Sequence, residues 1–160
     1  MDNNIQQLIS KLNESFSGRP WYGDSLMTKL NSIDAGVVNH LPLPSQNSIA
    51  KLVQHIINWR IFVTKKLQGD EQFDIKQNDK NDWTDIVING EQDWRILLEQ
   101  LRGTQIEITR LLAAKEDSFL MQPVPGRKYN YQYLIEGLIQ HDIYHLGQIA
   151  LVKRLNDASV

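Results

Sequence analysis

His141 and His145 stand four positions apart in the most regular apolar repeat of this 160-residue sequence. In an α-helix, side chains at positions i and i+4 lie on the same face. Two imidazoles placed in this way can bind a single ion at about 2.0–2.1 Å, and such pairs recur in zinc sites and related metal sites. The spacing therefore predicts a metal site on a helix near the end of the sequence.

The residues around this pair predict that its helix face points inward. One helical stripe contains the following residues: Leu134, Leu138, His141, His145, Gln148, Val152 and Leu155. Two imidazoles side by side in a core would leave polar nitrogens without partners, whereas a shared cation would satisfy both. We therefore interpret the pair as metal ligands rather than as two core histidines.

His55 is the candidate third ligand, because it follows a second apolar repeat that contains Leu52, Trp59 and Phe62. A lone histidine at the edge of an apolar face is more often a core residue, so the residues alone leave both alternatives open. Three neutral imidazoles from two facing helices, with one position left for water or substrate, would be typical of a catalytic site. His40 lies in a predicted loop and receives no such role.

The polar and aromatic neighbours of the histidines are candidates for supporting roles. Asp142 is a candidate base, but it is one methylene shorter than the Glu of similar motifs, which favours a surface position or a contact to a ligand. Gln148 could orient a ligand or substrate, or make an ordinary hydrogen bond between helices. Tyr144 and Trp59 are candidate substrate contacts, with simple packing as the alternative.

The elements that must position these residues are helices. Apolar residues recur at helical spacing over residues 5–16, 26–33, 49–63, 94–112 and 134–155, and glycines and prolines separate the segments. No segment shows the sustained alternation of a half-buried strand. We predict an all-α four-helix bundle with an extra short helix between the first and second long helices. The long connections argue against simple up-and-down wiring.

Two connecting segments carry specific expectations. Trp21 and Tyr22, in a bend after the first helix, are expected to cover one end of the core. Residues 69–83 are dense in Asp, Asn, Lys and Gln, which predicts a solvated loop rather than a linker between domains. We therefore expect residues 1–160 to form a single domain.

Two further pairs of residues stand at predicted helix starts. Asn89 and Gln92 resemble a capping box, in which a short side chain accepts from amides at the start of a helix. Arg127 and Lys128 precede the last helix and could receive an anionic group, although a solvated pair of loop residues is the favoured interpretation.

The composition limits the classes of partner. Lys and Arg number 17 against 19 Asp and Glu, for a net charge of −2, which gives no reason to expect nucleic acid or an anionic membrane. The sequence contains no cysteine, so any thiol chemistry would require a thiol from outside the chain. The polar start and the absence of a long apolar run predict a soluble, cytoplasmic protein.

Two segments resemble a known family. Residues 141–149, HDIYHLGQI, resemble the C-terminal signature of the DinB-like metal-binding bundle family, which is distinct from the similarly named DNA polymerase. Residues 48–59, SIAKLVQHIINW, resemble the second-helix signature of that family, with His55 at its histidine. The similarity extends over nearly the whole chain and includes residues 21–23 and 125–126.

The resemblance implies that His55, His141 and His145 bind a divalent metal, zinc or nickel, in a bundle that often forms homodimers. Relatives include transferases of bacillithiol and similar small thiols, thiol-dependent isomerases and metal-dependent hydrolases. We therefore expect a metal-dependent thiol S-transferase that acts on a small-molecule electrophile. The alternatives are a hydrolase that uses metal-bound water and a non-catalytic, metal-dependent stress or ligand-binding protein.

Overall fold

Each of the segments with helical apolar spacing forms an α-helix in the computed structural model, which describes residues 4–44 and 47–158. The helices are α1 (Asn4–Ser17), α2 (Leu26–Asn31), α3 (Ile49–Leu67), α4 (Glu91–Ala113) and α5 (Tyr131–Ala158), with a short 3-10 helix at Asp117–Met121. These described residues form no strand beyond an isolated bridge between Pro123 and Asn130. The predicted all-α bundle, with the short α2 between the first two long helices, is confirmed.

Polar side chains begin the two helices that carry the histidines. The Ser48 hydroxyl accepts a hydrogen bond from the backbone N–H of Lys51 at 3.2 Å, which caps α3. The Asn130 side chain accepts from the backbone N–H of Tyr133 at 2.9 Å and caps α5 in the same way. Each cap satisfies a backbone donor that a helix start leaves without an intrahelical partner.

The prediction of a capping box at Asn89 and Gln92 is wrong, because α4 begins in a different way. Gly90 is the N-cap residue and has a φ of 128°, in the region that favours glycine. The Asp93 carboxylate, rather than an Asn89 side chain, makes the local contact, because it accepts from the backbone N–H of Asn89 at 2.9 Å. Glu91 and Asp93 also place negative charge in the first turn, where the helix dipole favours it.

The long helices are not wired up and down in sequence order. Helices α1 and α3 each pack against both α4 and α5. The first two long helices therefore lie at opposite corners of the bundle, and the chain crosses from one corner to the other through α2. This arrangement places α3 directly beside α5, which is the pair of helices that carries the three candidate histidines.

A buried polar layer separates two apolar clusters of the core. The layer consists of three buried residues: Arg60 of α3, Gln105 of α4 and Asp142 of α5. Each lies along its helix between residues of one cluster and residues of the other. The guanidinium of Arg60 donates to the Asp142 carboxylate, to the Gln105 side-chain oxygen and to the Thr104 hydroxyl. It also lies over the ring of Phe16, 4.7 Å from its centroid, so this one side chain of α3 contacts the other three long helices.

The two connecting segments depart from expectation in opposite directions. Trp21 is fully exposed and Tyr22 is 44% exposed, so the expectation that they cover the core is wrong. Residues 69–83 form no helix or strand and are mostly exposed, yet Ile75 and Asp82 are each only 2% exposed. The segment therefore packs onto the bundle at two points and is not a purely solvated loop.

None of the helices in residues 4–44 and 47–158 combines the length and the apolar character that crossing a bilayer requires.

Candidate metal centre

Helices α3 and α5 bring His55, His141 and His145 together. One ligand nitrogen from each lies within 4.8 Å of the others, and the Nε2 atoms of His55 and His141 are 3.0 Å apart. His55 and His145 are each 5% exposed, whereas the side chain of His141 is 24% exposed. The three candidate ligands of the sequence analysis therefore form one cluster at the edge of the core.

The orientation of His55 is set by the loop between α3 and α4. Its Nδ1–H donates to the backbone carbonyl of Asp82 at 2.9 Å, and an oxygen of the Asp82 carboxylate lies 3.0 Å from the same nitrogen. Because a carbonyl only accepts, neutral His55 carries its proton on Nδ1 and keeps a lone pair on Nε2. The Trp83 ring stacks on the imidazole, with centroids 3.8 Å apart and planes inclined by 6°.

The orientation of His145 is set by a residue of its own helix. Its Nδ1–H donates to the side-chain oxygen of Gln148 at 2.6 Å, one turn further along α5. The Nε2 atom of His145 therefore also keeps a lone pair. Bonds of this kind, from the outer ring nitrogen to an oxygen, fix the tautomer and the ring orientation of histidines that bind metals.

His141 has a different environment from the other two imidazoles. Its Nδ1 is buried and has no hydrogen-bond partner among the residues that the structure describes. The nearest carboxylate oxygen is Oδ1 of Asp142 at 3.8 Å, which is too long for a hydrogen bond and itself lacks a partner in the described chain. His141 is therefore the least constrained of the three rings.

Asp142 is buried, so the surface position considered for it is wrong. Its other carboxylate oxygen accepts from Arg60, and the described residues that line the cavity at the histidines do not include it. The carboxylate therefore lies behind His141, on the side of the core.

Burial also sets the protonation of the two inner histidines. Desolvation, with a smaller effect of neighbouring His141, lowers the pKa of His145 from 6.5 to about 4. Burial likewise lowers the pKa of His55, although the contacts with Asp82 oppose the shift. Both imidazoles are therefore neutral at neutral pH, which is the form that binds metal ions.

A cavity of about 440 Å³ opens onto the three histidines. Besides the histidines, the described residues that line this cavity are Asn47, Trp59, Gln77, Asn78, Asp82, Trp83, Tyr144 and Gln148. Tyr144 lies at the rim, 64% exposed, with its ring 4.9 Å from that of His145. All of the residues that the sequence proposed for substrate contact thus lie at this cavity.

Sequence reasoning missed Asp82 and Trp83, which complete the centre from the loop between α3 and α4. The Asp82 carboxylate accepts from Nε1–H of Trp59 at 2.8 Å and from the backbone N–H of Asn78 at 2.7 Å. The Asp82 carboxylate therefore connects the loop to α3 beside His55 through these hydrogen bonds. The available signal was Trp83, a large aromatic residue in the middle of an otherwise polar segment.

The remaining candidates lie away from the cluster. Arg127 donates to the Asp74 carboxylate and to the backbone carbonyl of Ile75, so it joins two loops and is not a solvated residue. Lys128 is exposed, as that interpretation expected. His40 is exposed and does not belong to the histidine cluster.

Comparisons with known proteins bear on the fold and the family. The family profile described as the DinB superfamily matches residues 24–149. The chain is also similar to a crystal structure of a conserved protein from Enterococcus faecalis, with a TM-score of 0.73 and 14% sequence identity over 99% of each chain. At this identity the likeness concerns the fold alone. No curated protein sequence gives a significant match.

Proposed function

The chain belongs to the DinB superfamily, and from that premise we propose that it is a metal-dependent thiol S-transferase. In this proposal His55, His141 and His145 hold a divalent ion, zinc or nickel, and a small thiol such as bacillithiol attacks an electrophile. The observation that best supports this proposal is that three imidazole nitrogens lie close together beside an open cavity. When bound, such an ion lowers the pKa of a thiol or a water molecule that it coordinates.

The chemistry of the donor set fits such an ion. The Nε2 atoms of His55 and His145 carry lone pairs because their Nδ1–H groups are used elsewhere. The separation of 3.0 Å between the Nε2 atoms of His55 and His141 suits two nitrogens that each lie about 2.0–2.1 Å from one ion. Three nitrogen ligands beside an open cavity also leave room for a further ligand, as in catalytic sites.

A thiol is favoured over water because the cavity offers no uncommitted carboxylate in the described chain. Among the described lining residues, Asp82 is the carboxylate, and both of its oxygens accept hydrogen bonds. Asp142 accepts from Arg60 through one oxygen and does not belong to the described lining of the cavity. Because a thiol has a lower pKa than water, it needs less help from a base to lose its proton at neutral pH. Because the sequence has no cysteine, the thiol would come from outside the chain.

Metal content tests the first half of the proposal. We expect about one divalent ion per chain in protein purified without a histidine tag, and loss of the ion in His55→Ala, His141→Ala and His145→Ala. The exposed His40→Ala is the matched control and should keep the ion. Wild-type protein that remains free of metal after addition of zinc and nickel would contradict the proposal.

Thiol binding and turnover test the second half. Addition of bacillithiol to the cobalt-substituted protein should produce a sulfur-to-cobalt absorption band, and the loaded protein should transfer the thiol to an electrophile. Turnover of ester substrates without any thiol would instead favour a hydrolase. Metal binding without either activity would favour a non-catalytic ligand-binding protein.

A further inference from the structure

A second cavity adjoins the metal centre and is lined mainly by apolar side chains. It has a volume of about 210 Å³, and its walls include Val63 of α3 and Leu134 and Leu138 of α5. Trp59 and His141 line both this apolar cavity and the cavity at the histidines. The two cavities therefore adjoin each other at Trp59 and His141.

We infer that the apolar cavity binds the aromatic ring of a small electrophile, an inference that rests on the function proposed above. The size favours one ring, because an apolar cavity of about 150 Å³ is enough to hold benzene. The walls favour an aromatic group, since the aromatic residues Trp59, Tyr129 and Tyr133 line the cavity, and aromatic pairs gain energy beyond the burial of area.

This placement determines which bond of the substrate reacts. A ring held beside Trp59 and Val63 directs its reactive substituent towards His141, where the two cavities meet. The thiol gives up its proton to solvent, and the sulfur electron pair forms a bond to the carbon that carries the leaving group. The bond to a leaving group such as a halide breaks and its electron pair departs with the halide. The substrate class is therefore a benzylic or aryl electrophile.

Gly137 keeps the apolar cavity open. It lines the cavity from α5, one turn before His141, and a Cβ built on it meets no atom within 4 Å. A glycine inside a helix is less favourable than an alanine at the same position. Neither a neighbouring atom nor a positive φ requires glycine here, and a large side chain at this position would extend from α5 into the cavity.

Binding of benzyl alcohol, an unreactive probe, tests the inference without a thiol. We expect it to shift the NMR signals of the Gly137 amide and the Trp59 indole saturably, and to bind more tightly than cyclohexylmethanol. Gly137→Leu should weaken this binding by about tenfold or more, because its side chain fills the cavity. Gly103→Leu, at an exposed helical glycine with equally open surroundings, should leave the affinity unchanged.

The Gly137→Ala variant guards against a folding defect, because it adds a single methyl group and should weaken binding by less than leucine. Equal affinity in wild type, Gly137→Ala and Gly137→Leu would overturn the inference, as would equal binding of cyclohexylmethanol. Thiol transfer to aromatic electrophiles without binding at Gly137 would also overturn it, while leaving the proposed function intact. Ring binding at Gly137 in a protein that transfers no thiol would contradict the proposed function, and with it the electrophile assigned to this cavity.

Discussion

The three histidines differ in the hydrogen-bond partners of their Nδ1 atoms. His55 donates to a backbone carbonyl, His145 donates to the side chain of Gln148, and His141 has no partner for Nδ1 in the described chain. The first of these bonds cannot be removed by changing a side chain. The hydrogen bond from His145 to Gln148 can be removed by substitution of Gln148, so it offers the most direct test of how the orientation of the imidazole ring affects metal affinity.

Gln148→Ala should weaken the affinity for zinc by about 10- to 100-fold, which is typical when the partner of a metal-binding histidine is lost. The reason is that His145 would no longer be held in the tautomer and orientation that present Nε2. Competition with a fluorescent chelator measures the change. Gln140→Ala, at an exposed position of the same helix, is the control, and equal losses in both variants would contradict the role of Gln148.

The stability of the metal-free protein should fall as the pH decreases from about 6.5 to about 4. Burial lowers the pKa of folded His145 from 6.5 to about 4, so in this range the unfolded chain binds a proton that the folded chain does not. The contribution of neutral, buried His145 to the free energy of unfolding is thus fully present above the pKa of this residue in the unfolded chain. It is lost as the pH falls through the pKa of His145 in the folded chain. Urea unfolding at several pH values measures it. His145→Gln should flatten this part of the curve and His40→Gln should not.

At the scale of elements, the loop between α3 and α4 is a structural part of the candidate metal centre. Its Asp82 carbonyl holds His55, its Asp82 carboxylate binds Trp59, and its Trp83 ring covers the imidazole. Loops with few apolar residues usually have weak local stability. Here the buried carboxylate of Asp82 attaches the loop to the bundle in addition to the apolar contact of Ile75.

Asp82→Asn should destabilise the protein by about 1–3 kcal/mol, because the amide has one acceptor and leaves a donor of Trp59 or Asn78 without its partner. Urea unfolding measures the loss, and faster proteolytic cleavage within residues 69–90 shows where it acts. Asp79→Asn, on the exposed part of the same loop, provides the comparison. An equal effect of both substitutions would mean that burial of Asp82 has no special role.

At the scale of the whole molecule, the bundle is joined by a charged residue as well as by apolar packing. Arg60 of α3 is fully buried and contacts groups on the other three long helices, including the Asp142 carboxylate beside His141. A buried ion pair adds little net stability compared with apolar residues, but removal of one partner is costly. The pair therefore fixes how the four helices meet.

Arg60→Met should destabilise the protein by about 3–5 kcal/mol, since it leaves the Asp142 carboxylate buried without its cation. Chemical denaturation measures the change. Arg102→Met removes the exposed pair with Glu99 and should cost less than about 1 kcal/mol. A small effect of Arg60→Met would show that water or a rearranged side chain neutralises the carboxylate.

The helices and the pair His141 and His145 could be predicted because both depend on local spacing, whereas His55 was assigned as a third ligand only through the family resemblance of residues 48–59. The apolar repeats fix the inward faces of α3 and α5, and His141 and His145 share a face by their separation of four. Asp82 and Trp83 could not be predicted, since a loop without periodicity gives no register against the distant His55. Burial of Asp142 was missed for a related reason, because an aspartate is seldom buried unless it is paired and its partner Arg60 is 82 positions away.

The corner-to-corner wiring has a consequence for how the protein is made. Helix α1 is synthesised before its packing partners α4 and α5, from which α2, α3 and the long connections separate it. At roughly 5–20 residues per second, synthesis of the residues between α1 and α5 takes on the order of ten seconds. During that time the apolar face of α1, which includes Ile5, Leu8 and Leu12, can pack against α2 but lacks its contacts with α5. We therefore expect chaperones to bind the nascent chain until α5 completes the bundle.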